Sequence, residues 1–342
     1  MDAVQPREIS VLEPIGAAFD KTKEILFQPF DIGRWFTIGF CAWLATLGNG
    51  GGFNGPGGGG GSPGSHGGGP APDFQQEINH IKEGFLENLH IIIPAAISIF
   101  AIILIIGALF IWLKSRGQFM FLHCVARNVA EVKNPWASYS TEGNSLFKFK
   151  LILWLAGMVA GLVCAVSMIL LLIPMFESDF KMLAFAQILP VIFLGIGLIM
   201  IGIVSGIISV LTKDFVVPIM YIHHCRVMDG WRIFWRLCSD NFGKFFLFLL
   251  FLLVVGIAIG MIVMVAVLVT CCCAACIMAI PFIGTVAKLP ILVWRRSYSA
   301  LFLAQFGLEF DVFAQTDTVL VPADAIPMPP EYPEAPPEQP QY

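Results

Sequence analysis

Of the 342 residues, 57% are hydrophobic and 13% charged, and the mean hydropathy is +0.80, whereas soluble chains carry about 25% charged residues. A water-soluble globular fold is excluded: the 20 basic and 24 acidic residues lie between apolar runs too long for soluble core helices. No basic stripe of the kind that grips nucleic acid is present, and none is expected as a partner.

In chain order, the first 34 residues hold four basic and six acidic side chains and no continuous apolar stretch. No cleavable signal is expected there, and the first span must direct its own insertion. Within this segment an amphipathic helix is predicted over 14–27, with Ile15, Ala18, Phe19, Thr22 and Leu26 on one face. The run 35–47 is a short first span that must borrow Ile32 or thin the bilayer. The stretch 48–70 contains 14 glycines and reads as a flexible tether. It is not a phosphate-cradling loop, since no lysine follows until Lys82. Asp73 can then cap a helix whose Phe74, Ile78, Ile81, Phe85 and Leu89 form one apolar stripe, suited to the outer membrane surface.

Four long runs, 91–113, 151–173, 182–211 and 245–270, predict spans, because backbone groups in hydrocarbon must be satisfied within a helix. Between Phe245 and Trp294 the only charge is Lys288. That length fits a hairpin turning near Cys271 to Cys276, bent by Pro281 and Gly284, and ending at Trp294. From residue 307 onward there are eight prolines, seven acidic side chains and no base, which predicts a disordered acidic tail. Its Pro329-Pro330-Glu331-Tyr332 fits a motif read by aromatic grooves, although such a match arises easily in a proline-rich stretch.

The distribution of lysine and arginine fixes an expected orientation. Segments 1–34, 114–150, 212–244 and 295–342 hold 17 of these residues, and 49–90, 174–182 and 271–288 hold three. The positive-inside rule then places both termini in the cytoplasm of a multi-pass cell-membrane protein. The exits Phe119-Met120-Phe121-Leu122-His123 and Pro218-Ile219-Met220-Tyr221-Ile222-His223 resemble each other at an offset of about 100 residues, and the amphipathic stretch 230–238, with Trp231, Phe234, Trp235 and Cys238, corresponds in type to 14–27. The expected architecture is all-α: a polytopic helical membrane bundle of about six spans over 1–306, in three units (10–113, 114–211 and 212–306), each an amphipathic helix followed by a hairpin. Aromatic and basic residues recurring at every interface supply the simpler explanation of the repeat.

Nine scattered cysteines fit buried, reduced thiols. His123, His223, His224, Cys124 and Cys225 include metal-ligand types. Adjacent helical residues point about 100 degrees apart, however, so no metal site is assigned. The Cys273/Cys276 pair lacks the second element of a zinc site and reads as turn packing. Lys213-Asp214 and Arg226 with Asp229 bring opposite charges close in sequence. Arg116, Lys213, Arg226, Arg232, Arg236, Arg295 and Arg296 are the candidate contacts for anionic lipid headgroups, each worth about 1 kcal/mol at a membrane surface. The plainer alternative is that they only set orientation. The absence of an ionisable residue at mid-span argues against a proton-coupled pump or ion channel, and no catalytic or cofactor-binding residue is identified.

Asp214-Phe215-Val216-Val217-Pro218-Ile219-Met220 and Arg296-Ser297-Tyr298, followed by Phe302-Leu303-Ala304-Gln305-Phe306-Gly307 and Glu309-Phe310, resemble uncharacterised prokaryotic membrane proteins. These are similar in plan to the membrane region attached to some glycerophosphodiester phosphodiesterases. The resemblance implies about six helices and supplies no catalytic residue, since a phosphodiesterase barrel needs about 250 residues that no loop here provides. The function expected is that of a non-enzymatic membrane organiser contacting lipids or partner proteins. The alternative is a small transporter of an apolar or amphiphilic solute without ionic coupling. A membrane enzyme would require His123, His223 or Asp229 to converge.

Overall fold

The computed structural model describes residues 9–47, 89–177, 185–270 and 280–314. The glycine-rich tether, the helix after Asp73, the start of the span at 182, the cysteine-rich turn and the proline-rich motif lie outside them. Among the described residues every regular element is helical: α1 (Glu13–Phe27), α2 (Ile32–Thr46), α3 (Leu89–Arg127), α4 (Lys133–Ser138), α5 (Ser140–Glu177), α6 (Phe185–Leu211), α7 (Val217–His223), α8 (Val227–Asp240), α9 (Phe242–Val269), α10 (Pro281–Ala287) and α11 (Leu289–Ala304). A π-helical turn, Thr212–Val216, joins α6 to α7.

Four helical stretches are long and apolar enough to cross a membrane: those of α3, α5, α9, and α6 continued into α7. The spans expected at either end of the chain differ. α2 has 15 residues, and the last apolar run is divided at Lys288 into seven-residue α10 and 16-residue α11, which opens with Pro290 in its first turn. α2 takes in Ile32, as its start is fixed by the Asp31 carboxylate, which accepts the Gly33 N–H at 2.8 Å as an N-cap.

The helical path does not stop at the predicted boundaries: α3 runs on past Leu113, and α6, which ends at Leu211, passes through the π turn into α7. α3 has 39 residues, about 58 Å at 1.5 Å per residue, against a hydrocarbon core of about 30 Å. It continues past the apolar run because nothing after Leu113 breaks it until Asn128, whose φ of 51° takes the left-handed conformation that asparagine tolerates. α7 ends in the same way at His224, with φ 46°.

These extensions hold the buried core. Along the apolar runs, side chains such as Ile105, Leu162, Ile199 and Ile262 face outward, as expected of helices that are hydrophobic all round. Burial concentrates where α3, α7, α8, α11 and the first turns of α9 meet. Phe215 lies at its centre, with ring centroids 5.4, 5.0, 4.9 and 6.0 Å from those of Phe234, Phe245, Phe248 and Phe302. A second buried cluster sets Ile38, Cys41 and Ala42 of α2 against Met120 and Cys124 of α3 and Leu289 and Val293 of α11.

Two further segments close the core. The Tyr298 hydroxyl donates to the Val11 carbonyl at 3.0 Å, and Gln305 both accepts from the Ser10 N–H (2.7 Å) and donates to the Ser10 carbonyl (3.0 Å), fastening the segment just before α1 to the end of α11. Gly307, at φ 150°, then turns the chain back. Phe310 and Val312, assigned to the acidic tail by their sequence context, are buried in the core, with Phe310 stacked on His223.

Candidate functional site: a cationic cluster where the apolar runs end

Lys114 directly follows the apolar run of α3, Lys150 directly precedes that of α5, Lys213 lies two residues beyond that of α6, and Arg295 and Arg296 follow Trp294. Lys213 lies within electrostatic reach of Lys114, Arg295 and Arg296, and Lys150 within reach of Lys114, Lys213 and Arg296. One carboxylate lies among them. Asp214, 1% exposed, accepts from Arg295 Nη2 through Oδ2 at 3.0 Å. Its ion-pair partner is Arg295, and the adjacent Lys213 is also within its electrostatic reach.

The π turn explains the placement of Arg296. The Val217 N–H donates to the Thr212 carbonyl, five residues back, and so bypasses the Lys213 carbonyl. The next residue, Pro218, has no N–H to offer. Arg296 Nη1 donates to this carbonyl, tying α11 to the turn. Such turns in otherwise α-helical stretches frequently mark functional positions. Arg296 is 3% exposed, and its Nε and Nη2 have no hydrogen-bond partner, nor does Asp214 Oδ1. Burial pulls the Arg296 guanidinium down to about 10, which still leaves it charged at neutral pH. Lys114, Lys150, Lys213 and Arg295 are half-buried. Lys150 Nζ donates to Gln118 Oε1 at 2.7 Å.

The other candidates separate into two settings. Arg116 lies over the rings of Trp112 and Trp136, 4.9 and 5.0 Å from their centroids, and its Nη2 donates to Asn144 Oδ1 at 3.3 Å. Arg226, Arg232 and Arg236 are exposed at the start and along the outer face of α8, where Arg232 lies 3.8 Å from Asp229. Trp235, grouped by sequence with the apolar face of α8, is 65% exposed beside them, while Val227, Gly230 and Phe234 turn inward. Lys114, Lys150 and Gln118 escaped sequence reasoning; the signal was their position at the edges of the apolar runs.

His123, His223 and Asp229 have different neighbours: His123 Nδ1 is hydrogen-bonded to the Tyr221 hydroxyl at 3.0 Å, His223 stacks on Phe310, and Asp229 faces Arg232. His224 Nδ1 lies 3.2 Å from Glu142 Oε1. Among the described residues no three His, Cys, Asp or Glu side chains are grouped to hold a metal. Cys41 and Cys124 are free buried thiols with sulfurs 3.7 Å apart. Burial pushes the Cys225 and Cys238 thiols up, away from the reactive thiolate. An open apolar cavity of about 370 Å³ is lined by Phe27, Phe30, Ile32, Trp35, Phe36 and Val286.

Residues 9–322 match a family described as Family of unknown function (DUF7544), and the chain belongs to that family. The comparison gives no link to glycerophosphodiester phosphodiesterases. No match was found among curated proteins or among solved structures.

Proposed function

We propose that this is a cell-membrane protein of six spans, with both termini in the cytoplasm and three helix-plus-hairpin units, that organises anionic lipids and partner proteins at the inner face without catalysing a reaction. The observation that carries the reading is the coincidence of a multiply cationic cluster with the level at which the apolar helix surfaces stop. Headgroup phosphates lie at that level in a bilayer, and the cytoplasmic leaflet carries the anionic lipids. Exposed Arg226, Arg232, Arg236 and Trp235 on α8 suit a helix lying in the same interface. The aromatic cavity between the α1–α2 turn and α10 offers apolar surface to acyl chains.

Lipids retained by the purified full chain test the reading. Enrichment of anionic over zwitterionic phospholipid relative to the source membrane is expected, and it should fall when Arg226, Arg232 and Arg236 are replaced together by Gln. Retained lipid that mirrors the membrane composition would refute lipid selection.

The orientation has its own test. Epitope tags inserted after Gly64 and after Tyr342 should differ in intact cells, the first open to antibody and the second reached only after permeabilisation. Equal access would overturn the six-span arrangement.

A further inference from the structure

The groove at the α1–α2 turn, walled by Phe27, Phe30, Trp35 and Val286, is, we propose, the seat of the chain's own segment Val319-Leu320-Val321, which returns along α1 and covers it. This goes beyond the lipid-contacting role proposed above, in which the same groove offers apolar surface to acyl chains. Here the polypeptide occupies it first, and lipid enters only by displacing the segment. Phe27, Phe30, Ile32 and Phe36 are between 46% and 61% exposed, although they lie outside the four long apolar helices. Every residue lining the groove is apolar, and its one side-chain polar atom, Trp35 Nε1, already donates to the Val286 carbonyl at 3.4 Å. Such a wall takes hydrocarbon and offers nothing to a headgroup.

The course of the chain supplies the occupant. After α11 its contacts advance along the first helix: Gln305 is bonded to Ser10, ahead of α1, and the Phe313 ring lies 5.7 Å from Lys21 Nζ, midway along α1. Phe313 also packs on the cluster that contains Ile25 and Leu26. Phe27 follows Lys21 by six residues, about 9 Å along a helix. The described structure ends at Ala314, and the six residues from Phe313 to Val319 can span up to about 20 Å. Val319-Leu320-Val321 is the first run of large apolar side chains beyond that end, set between Asp317 and Asp324. Lys23, exposed one turn before Phe27 on the same side of α1, offers Asp317 an opposite charge. The family match runs to residue 322, so it takes in this segment and stops before the proline-rich remainder. So short a tether holds the segment beside the groove at about millimolar effective concentration.

Leu320→p-benzoylphenylalanine in the full chain, irradiated in zwitterionic micelles, tests the placement. Cross-links should join position 320 to peptides bearing residues 27–36 or Val286 and run as a monomer, and the same probe in place of Tyr332 should give none there. Separately, micelles carrying a phosphatidylcholine with a photoreactive diazirine acyl chain should label residues 27–36 weakly in the parent. Labelling should rise at least about threefold in L320D, whose carboxylate is costly to bury in an apolar groove. V319D/V321D repeats the measurement, and helical circular dichroism checks that each variant is folded. Cross-links that form elsewhere overturn the seat, as do cross-links that run as a dimer, which assign the groove to a second copy's segment. Acyl labelling as strong in the parent as in L320D assigns the groove to lipid, overturning the seat while the lipid-contacting role stands. Weak labelling of both, with the position-320 cross-link present, supports the seat and refutes acyl access to the groove.

Discussion

Gly117→Leu should unseat α2 from α3. A Cβ at Gly117 would lie 2.6 Å from the Leu44 carbonyl carbon, 2.6 Å from the Leu44 Cβ and 2.7 Å from the Ala45 nitrogen. Most of what it meets is backbone, which has no rotamer to change, so the whole helix must move. Even Gly117→Ala should cost about 1–3 kcal/mol through overpacking. The leucine variant should lose the α2 contact and with it the cover over Cys41 and Cys124, both fully buried here. Gly157 lies in the interior of α5 with nothing within 4 Å of an added Cβ. There, Gly157→Ala should be neutral or stabilise by up to about 1 kcal/mol, as alanine does in helices. Thermal unfolding followed by circular dichroism, with the rate of maleimide reaction at Cys41 and Cys124, separates the two positions. A Gly117→Leu chain that melts like its parent and keeps slow thiols would refute this packing.

What was legible in the sequence was the chemistry of helix surfaces. Long apolar runs between charged boundaries imposed helices on 91–113, 151–173 and 245–270, because hydrocarbon leaves the backbone no other partner. The faces of α1 were largely readable as well: Ala18, Thr22 and Leu26 point inward as their spacing required. Phe19, assigned to that face, is 56% exposed while its ring still lies 5.4 Å from that of Trp294. Helix ends were less legible. Hydropathy falls at Leu113 and Leu211, and a reading tuned to lipid stops there. The helices continue, because Phe119, Leu122, Phe215 and Ile219 find partners in protein instead. The same reason displaced the tail boundary, since Phe310 and Val312 become apolar packing groups only once Gly307 returns the chain to His223.

The two segments on which the family resemblance rested turn out to face each other. Phe215 of the first packs on Phe302 of the second, and the Lys213 carbonyl beside the first receives Arg296 of the second. Neither pairing could be read from order along the chain, where 83 residues separate Lys213 from Arg296. The candidate site was legible residue by residue as boundary cations, but not as a cluster. Gathering them depends on a π turn that local composition hints at only through Pro218, and on α11 lying against that turn.

Replacing Asp214 should test how much of the bundle this gathering sustains. Its carboxylate is the one acid that the described residues place against Arg295 and near Lys213 and Arg296. Asp214 is buried but 37% of the Arg295 side chain is exposed, so losing the carboxylate leaves a partly solvated guanidinium, a loss of about 1–3 kcal/mol. Asp214→Ala should therefore melt well below the parent in zwitterionic micelles. Replacing both members, Asp214→Ala with Arg295→Met, removes the stranded charge as well, and should be less destabilised than Asp214→Ala alone, since contacting residues fail to add. An anion offered from solution can take over part of the lost compensation, so phosphatidylglycerol should raise the melting temperature of Asp214→Ala by more than that of the parent. Strict additivity in the double replacement would mean that the carboxylate and guanidinium do not stabilise each other, and that α11 is held to the π turn by the Arg296 hydrogen bond and aromatic packing alone.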